Sequence, residues 1–285
     1  MMTMHGAKAH KLQSETESDA ERLENKPSFR RFARVGLGAR SVIYGVLTFL
    51  CIGLAWHGSA PAPADGEGAI EELAHQPAGP FLLVLLSIGL LAYASWRVTH
   101  AAAPMNAKSG TTAARRIGLA ESGALYLFLC AQAVALLLNH HSTSSGGGAA
   151  ARPIAASILR WPVGGVLLGV VGAGIISAGL ALAIWGAVHN NSDVFARSSM
   201  PNHVFGLTHV AGVAGDVTRG LVVALVGAYV MKAAVEDRPS QVRGLDSALQ
   251  SLTREPGAVE LLAVVAAGML AFALYSACEA AYRRV

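Results

Sequence analysis

Five long windows of this sequence contain no charged residue, and they constrain the fold more than any other feature. The windows lie between Arg40 and Asp65, Glu72 and Arg97, Glu121 and Arg152, Arg160 and Asp193, and Glu260 and Glu279. Each has room for about 20 helical residues, which span a hydrocarbon core of roughly 30 Å. Charged residues make up only 14% of the chain, against about 25% in soluble domains. We therefore predict five membrane-spanning helices.

A sixth span is predicted at residues 206–234, although it carries Asp216 and Arg219. An ionised side chain at the bilayer centre costs about 2.5–3.5 kcal/mol, whereas each Leu, Val or Ile returns about 0.3–0.6 kcal/mol. The apolar residues at 220–231 offset about one such charge, so the charged pair must lie near an interface or face protein. The sequence thus predicts an all-α, polytopic membrane protein with six transmembrane helices.

An internal repeat arranges these spans as three helical hairpins. Each hairpin starts at a marker glycine and has a proline before its second apolar helix, where the missing N–H would be unpaired anyway. The pairs are Gly36 and Pro77, Gly118 and Pro162, and Gly212 and Pro256, with separations of 41, 44 and 44 residues. A short helical pattern precedes each proline, at residues 69–76, 154–159 and 245–252. The predicted repeats cover about residues 34–108, 115–190 and 205–285.

Basic residues are distributed unequally between the two sides of the predicted bundle. When alternate loops are assigned to opposite sides, sixteen Lys and Arg lie with the two termini and six lie on the other side. This positive-inside bias places both termini in the cytoplasm. Residues 1–29 form a charged tail that we predict to be disordered, and residues 30–285 form the membrane domain. Anionic lipid headgroups on the cytoplasmic side are the predicted partners of the basic loops, rather than nucleic acid.

Polar residues at matching depths are the best candidates for a site. Arg40, Glu121, Asp216 and Arg219 all fall in the first two turns of the first, third or fifth span. If the hairpins are arranged pseudo-symmetrically, these four side chains converge near the cytoplasmic face. Buried charges in membranes mark function by default, but interfacial charges that reach water or fix helix register are the simpler alternative. Gln132, central in the third span, is a further deep polar residue, with interhelical hydrogen bonding as its default role.

Glu260 and Glu279 bracket the sixth span, and we place them at opposite interfaces.

No pattern in the sequence indicates catalysis or a bound cofactor. The ten histidines lack the spacing of a zinc site on one helix, and no CxxCH motif for covalent haem occurs. Haem held by histidines from separate helices remains an alternative, since such ligation leaves no local motif. A serine, histidine and carboxylate set is also lacking. We therefore predict no catalytic residue, no cofactor and no metal, and an enzyme is disfavoured.

The glycine–arginine helix start at Arg34–Gly45 and the end of the chain together resemble a known family. The segments RGLDSALQSLTREPGAVELL and FALYSACEAAYRRV resemble the last repeat of the domain of unknown function 1206 family of bacterial integral membrane proteins. The resemblance runs from about residue 34 to 285 and implies six membrane helices in three pairs, with no established activity. At the position of Arg40, the other two repeats carry Ser122 and Asp216, so a role of that arginine is expected only in the first repeat.

Two functions agree with these observations. The first is a non-enzymatic structural, partner-binding or accessory protein of the bacterial inner membrane, with another membrane protein as a partner. Small-residue packing faces, few deep polar groups and a polar cytoplasmic tail favour it. The alternative is a small transporter or channel that uses the intramembrane Arg, Glu and Asp cluster.

Overall fold

The computed structural model describes residues 27–102, 113–139, 147–188, 201–253 and 256–282. Throughout these ranges all regular secondary structure is helical, which confirms the predicted all-α class. Most of the predicted tail, residues 1–29, lies outside the described residues, although its last three belong to the first helix. The α-helices are α1 Pro27–His57, α2 Gly66–Ala74, α3 Gly79–Ala102, α4 Ala113–Asn139, α5 Gly147–Leu159, α6 Gly164–Val188, α7 Asn202–Val235, α8 Leu245–Leu252 and α9 Ala258–Tyr282.

Four of these helices are long and apolar enough to cross a membrane. The four candidate spans are Arg34–His57 in α1, Gly164–Val188 in α6, Val204–Val235 in α7 and Ala258–Tyr282 in α9. Helices α3 and α4 hold shorter apolar stretches, Gly79–Ser95 and Ser122–Leu138. By length and composition, the chain is a membrane protein with four candidate spans and two shorter apolar helices.

Large apolar side chains cover the outside of the described helices, while charged side chains lie inside. Residues that are more than half exposed include Phe49, Phe81, Val166, Ile184 and Val264. Arg40 and Glu279, in contrast, are 6% and 4% exposed. Water-soluble proteins rarely expose apolar patches of this extent. An apolar outside with polar groups paired inside is the distribution that a hydrocarbon solvent requires.

The prolines of the repeat mark the second helix of each pair, as predicted. Helices α3, α6 and α9 each begin two residues after the proline, at Gly79, Gly164 and Ala258. A short turn sets each start; for example, the Gly79 N–H donates to the Gln76 carbonyl oxygen at 2.7 Å. The three short helices are also present, as α2, α5 and α8, although α5 begins seven residues before its predicted start.

The six longest helices pack as an incomplete ring. Helix α1 lies between α3 and α9, α4 packs against α3, and the α6–α7 pair joins the ring through α7 and α9. The first and third predicted hairpins are therefore packed pairs. Within the described ranges, α4 and α6 make no comparable contact with each other, so the helices of the second hairpin are not a packed pair. We call the side of the ring between α4 and α6 the open side.

Glycines bring α6 and α7 into backbone contact. Gly172, Gly179 and Gly186 are seven residues apart on α6, which keeps them on the face that a packed helix presents to its neighbour. A methyl group on Gly179 would lie 2.5 Å from the Ala224 nitrogen and 2.6 Å from the Gly220 carbonyl oxygen. No side chain fits at that distance. The α6–α7 contact therefore depends on the missing Cβ atoms.

The end of the ring that carries α2, α5 and α8, which we call the capped end, is closed by loops and short helices. Ala62 and Ala64, in the loop after α1, are buried in one apolar cluster with Leu249 of α8. The Ala64 N–H donates to Oδ1 of Asp246 at 2.7 Å. Asp65 caps α2 by accepting from the Gly68 N–H at 2.9 Å. The loop before α2 is thereby tied to α8.

We expect Gly179→Ala to destabilise the protein by about 1–3 kcal/mol, because its methyl group would overlap the backbone of α7. Gly174→Ala is the matched control on the same helix, since no atom lies within 4 Å of a methyl group there. Alanine in an open helical position is neutral or stabilising by up to about 1 kcal/mol. Thermal unfolding in detergent measures both variants. Equal melting temperatures for the two would show that the α6–α7 contact does not depend on Gly179.

The hydrogen bond between Ala64 and Asp246 predicts a pH dependence of stability. Burial is the main cause that raises the pKa of Asp246 above its ordinary value of 3.8, and the hydrogen bond from Ala64 opposes it. A carboxyl group with a raised folded-state pKa stabilises less as the pH rises through that value, because the folded state must release the extra proton. We therefore expect the melting temperature of the wild type, relative to Asp246→Asn, to fall as the pH rises from 3.8 through the raised pKa.

Glu260→Gln, which neutralises an exposed carboxylate on α9, is the control for a simple change of net charge. A constant difference in melting temperature between the wild type and Asp246→Asn across this pH range would contradict the expected effect of burial.

Candidate functional site

Arg40 is the centre of a buried polar cluster that joins three helices. Its Nε donates to Oγ of Ser276 at 3.1 Å, and its Nη1 donates to the Tyr93 hydroxyl at 2.8 Å. Its Nη2 forms an ion pair with Oε2 of Glu279. Ser276 and Glu279 lie on α9 and Tyr93 lies on α3. One guanidinium therefore connects α1 to both of its neighbours in the ring, through charge-assisted hydrogen bonds.

Tyr93 is fully buried and interacts with two arginines. Its hydroxyl accepts from Nη1 of Arg40 and from Nε of Arg97, the latter at 2.9 Å. The guanidinium carbons of these arginines lie 5.3 and 5.2 Å from the ring centroid, within the range of a cation–π interaction. Tyr126 of α4 meets the same ring edge to face, with centroids 4.6 Å apart. Tyr93 thus extends the cluster from α3 to α4.

Arg219 of α7 forms a second centre beside the first. Its guanidinium carbon lies 4.2 Å from the ring centroid of Phe272 and 5.4 Å from that of Tyr44. Arg40 also interacts with Phe272, at 5.0 Å from the centroid. Asp216 pairs with Arg219 at 3.4 Å, and the two side chains are 16% and 26% exposed. Both side chains of the first ion pair are 7% exposed or less, so the second pair is longer and less buried.

Close contacts at glycines show that the first and third hairpins are built in the same register. A methyl group on Gly36 would lie 2.8 Å from the Tyr93 nitrogen, and one on Gly215 would lie 2.9 Å from the Phe272 nitrogen. From the first contact to the second, both partners move by 179 residues along the chain. The same shift relates the contact of Gly89 with Ala39 to that of Gly268 with Thr218. Two helix–helix contacts therefore recur at one constant offset.

This offset makes Arg219 the counterpart of Arg40. Each arginine lies four residues after its contact glycine, and Pro77 and Pro256 are separated by the same 179 residues. The prediction that Asp216 stands at the position of Arg40 in the third repeat is therefore wrong. It used Gly212 as the marker, whereas Gly215 makes the contact equivalent to that of the first hairpin. The arginine at the helix start is thus present in two hairpins.

The structure brings together three of the five polar residues that the sequence singled out. Arg40, Asp216 and Arg219 share one cluster, and Asp216 interacts electrostatically with both arginines. Glu121 lies on α4, but its side chain is outside the described part of the structure. Gln132 is half-buried on α4, six residues after Tyr126, or about 9 Å further towards the capped end. Gln132 is therefore separated along α4 from the Tyr126 ring that borders the cluster.

Sequence reasoning missed the α9 side of the cluster, which consists of Phe272, Ser276 and Glu279. Glu279 was placed at an interface, whereas it is 4% exposed and paired with Arg40. Spacings of four and three residues put these side chains on one face of α9. That spacing was the available signal. It could not show which helix this face meets, because the partner lies 239 residues away in the sequence.

The cluster is chemically satisfied. Among the described residues, no buried side-chain nitrogen or oxygen lacks a hydrogen-bond partner. Within the same residues, no group of three His, Cys, Asp or Glu side chains gathers where a metal ion could bind. Side chains from α1, α3, α4, α7 and α9 meet in the cluster, so it fixes five of the six ring helices relative to one another. Removing one member of a buried pair leaves an uncompensated charge, which typically costs about 3–5 kcal/mol.

We expect a large coupling between Arg40 and Glu279. Arg40→Gln and Glu279→Gln should each destabilise strongly, and the double variant should be more stable than the sum of the two effects by about 1–3 kcal/mol. The matched control is Asp216→Asn with Arg219→Gln, whose coupling should stay below about 1 kcal/mol, because that pair is longer and more exposed. Unfolding in detergent measures both cycles. Additive effects at Arg40 and Glu279 would show that their ion pair does not stabilise the fold.

Comparison with known proteins agrees with the repeat found in the structure. The family model described as Domain of Unknown Function (DUF1206) matches residues 35–103 and 214–283, the segments that contain Arg40 and Arg219. The uncharacterized protein YxxB of Bacillus subtilis (strain 168) is 28% identical over 269 residues, which cover 92% of this chain and 94% of that protein. No solved structure matches the chain. The predicted resemblance is confirmed: the chain carries the DUF1206 domain, whose function is unknown, in its first and third hairpins.

Proposed function

We propose that this chain is a non-enzymatic accessory protein of the bacterial inner membrane that crosses the membrane six times. Helices α3 and α4 have 24 and 27 residues, or about 36 and 40 Å, which is enough to cross a core of roughly 30 Å. With six spans in three hairpins, both termini share one side. The sixteen basic residues on that side favour the cytoplasm.

The open side of the ring is the observation that carries the accessory role. In the described residues, α1 packs on α3 and α7 packs on α9, but α4 and α6 are not joined in this way. Phe128 on α4 and Ile184 on α6 are exposed on these two helices. A transmembrane helix of a partner protein at this position would complete the ring. The proposed role is therefore to hold another membrane protein along α4 and α6.

The interior of the ring supports a scaffold rather than a conduit. The Arg40 cluster occupies one end, where two arginines stack on Phe272. The capped end is closed by the loop at residues 58–65, together with α2 and α8, and Ala64 is fully buried there. Interactions of this kind stabilise one arrangement of the helices. They favour binding of a partner to a fixed surface over transport through the ring.

A small transporter or channel is the second candidate, and the Arg40 cluster favours it. Ionisable side chains within the membrane frequently mark ion pathways. The pair of Asp216 and Arg219 is 3.4 Å long and partly exposed, so it can open more readily than the pair of Arg40 and Glu279. Ion flux through proteoliposomes of the pure protein is the result that would favour this candidate over the first.

The accessory role predicts a defined complex and defined contacts. Native mass spectrometry of protein extracted in mild detergent should show one partner protein at a fixed stoichiometry. Photo-crosslinkers at Phe128 and Ile184 should capture that same partner, because they border the open side. Val264, an equally exposed position on α9, is the matched control and should capture it several-fold less.

A protein that stays free of partners under gentle extraction, with equal crosslinking at all three positions, would contradict the accessory role. A partner captured mainly at Val264 would contradict the assignment of the open side as its binding surface.

A further inference from the structure

A groove on the outside of the ring lies where α1 meets the end of α2. It encloses about 290 Å³. One wall comes from α1 and the other from the end of α2 and the residues after it. The lining residues are Gly45, Val46, Phe49, Glu72, Leu73 and Gln76.

The body of the groove is apolar and faces the surroundings of the protein. Gly45 has open space where a side chain would be, which forms a notch in the surface of α1. Phe49, one turn further along α1, is 56% exposed and forms the side of this notch. In a bilayer, an empty notch of this kind would forfeit dispersion contacts along its walls. A lipid acyl chain is the apolar, flexible group available to fill it.

The mouth of the groove carries negative charge. Oε1 of Glu72 accepts a hydrogen bond from Nε2 of Gln76 at 3.1 Å, so both side chains are held together at the rim. The sequence of α2, GEGAIEELA, contains three glutamates and no basic residue, and Asp65 precedes it. A cationic group is attracted to this rim, whereas an anionic headgroup is repelled by it.

We propose that this groove is a binding site for one phospholipid whose headgroup carries a protonated amine. The acyl chain lies along Gly45 and Phe49, and the ammonium group donates to the Glu72 carboxylate at the mouth. This site is separate from the partner surface on α4 and α6. It goes beyond the proposed accessory role, because it concerns a lipid on another side of the ring.

Native mass spectrometry of the purified full-length protein tests the site. The delipidated protein is titrated with phosphatidylethanolamine or phosphatidylglycerol of identical acyl chains. The wild type should retain one phosphatidylethanolamine in preference to phosphatidylglycerol. Glu72→Gln should lower the bound fraction of phosphatidylethanolamine about two- to fivefold, which is the range for a partly exposed ion pair. Gly45→Leu should weaken binding of both lipids, because its side chain fills the notch.

Glu67→Gln is the matched control, since it neutralises a carboxylate on the same helix that does not line the groove. It should bind like the wild type. Equal binding of both lipids by the wild type would overturn the proposal without any variant, as would unchanged binding by Glu72→Gln. Because the lipids are added to pure protein, this result is independent of whether a protein partner exists.

Discussion

A guanidinium group inside a membrane protein is stable only when its charge is balanced and its donors are taken up, and the ring is assembled around the way Arg40 meets that requirement. Glu279 supplies the balancing charge, and Ser276 and Tyr93 take up the remaining donors. These partners lie on α9 and α3, so the cluster forms only when both helices pack on α1. The same interaction that neutralises the arginine therefore sets the order of the helices.

Missing Cβ atoms let the ring close around this cluster. Gly36 allows α1 to touch the backbone at Tyr93, and Gly215 allows α7 to touch the backbone at Phe272. Gly179 does the same between α6 and α7. In hydrocarbon, close approach of backbones replaces the hydrophobic effect as the source of helix association. Within the described residues, the second hairpin lacks packing of this kind between α4 and α6, and its open side follows from that difference.

The repeat gives the cluster its composition. Arg40 and Arg219 occupy equivalent positions 179 residues apart, and each stacks on the aromatic side chain of its own second helix, Tyr93 or Phe272. Their carboxylates are not equivalent, since Asp216 is local to α7 and Glu279 comes from α9. The two halves thus share a framework but not an ionic partner. This asymmetry makes one pair a buried tie between helices and the other a shorter-range contact within one helix.

The sequence by itself determined the helical class, the start of each second helix after Pro77, Pro162 and Pro256, and the resemblance to the DUF1206 family. These depend on local composition and spacing, which act over a few helical turns. Only the tertiary structure decided that Arg40 pairs with Glu279, that Arg219 is its counterpart, and that α4 and α6 stand apart. Each of these depends on which helix faces meet. The period of one helix defines its face but not the neighbour that covers it, because helix contacts in a membrane are made between segments distant in sequence.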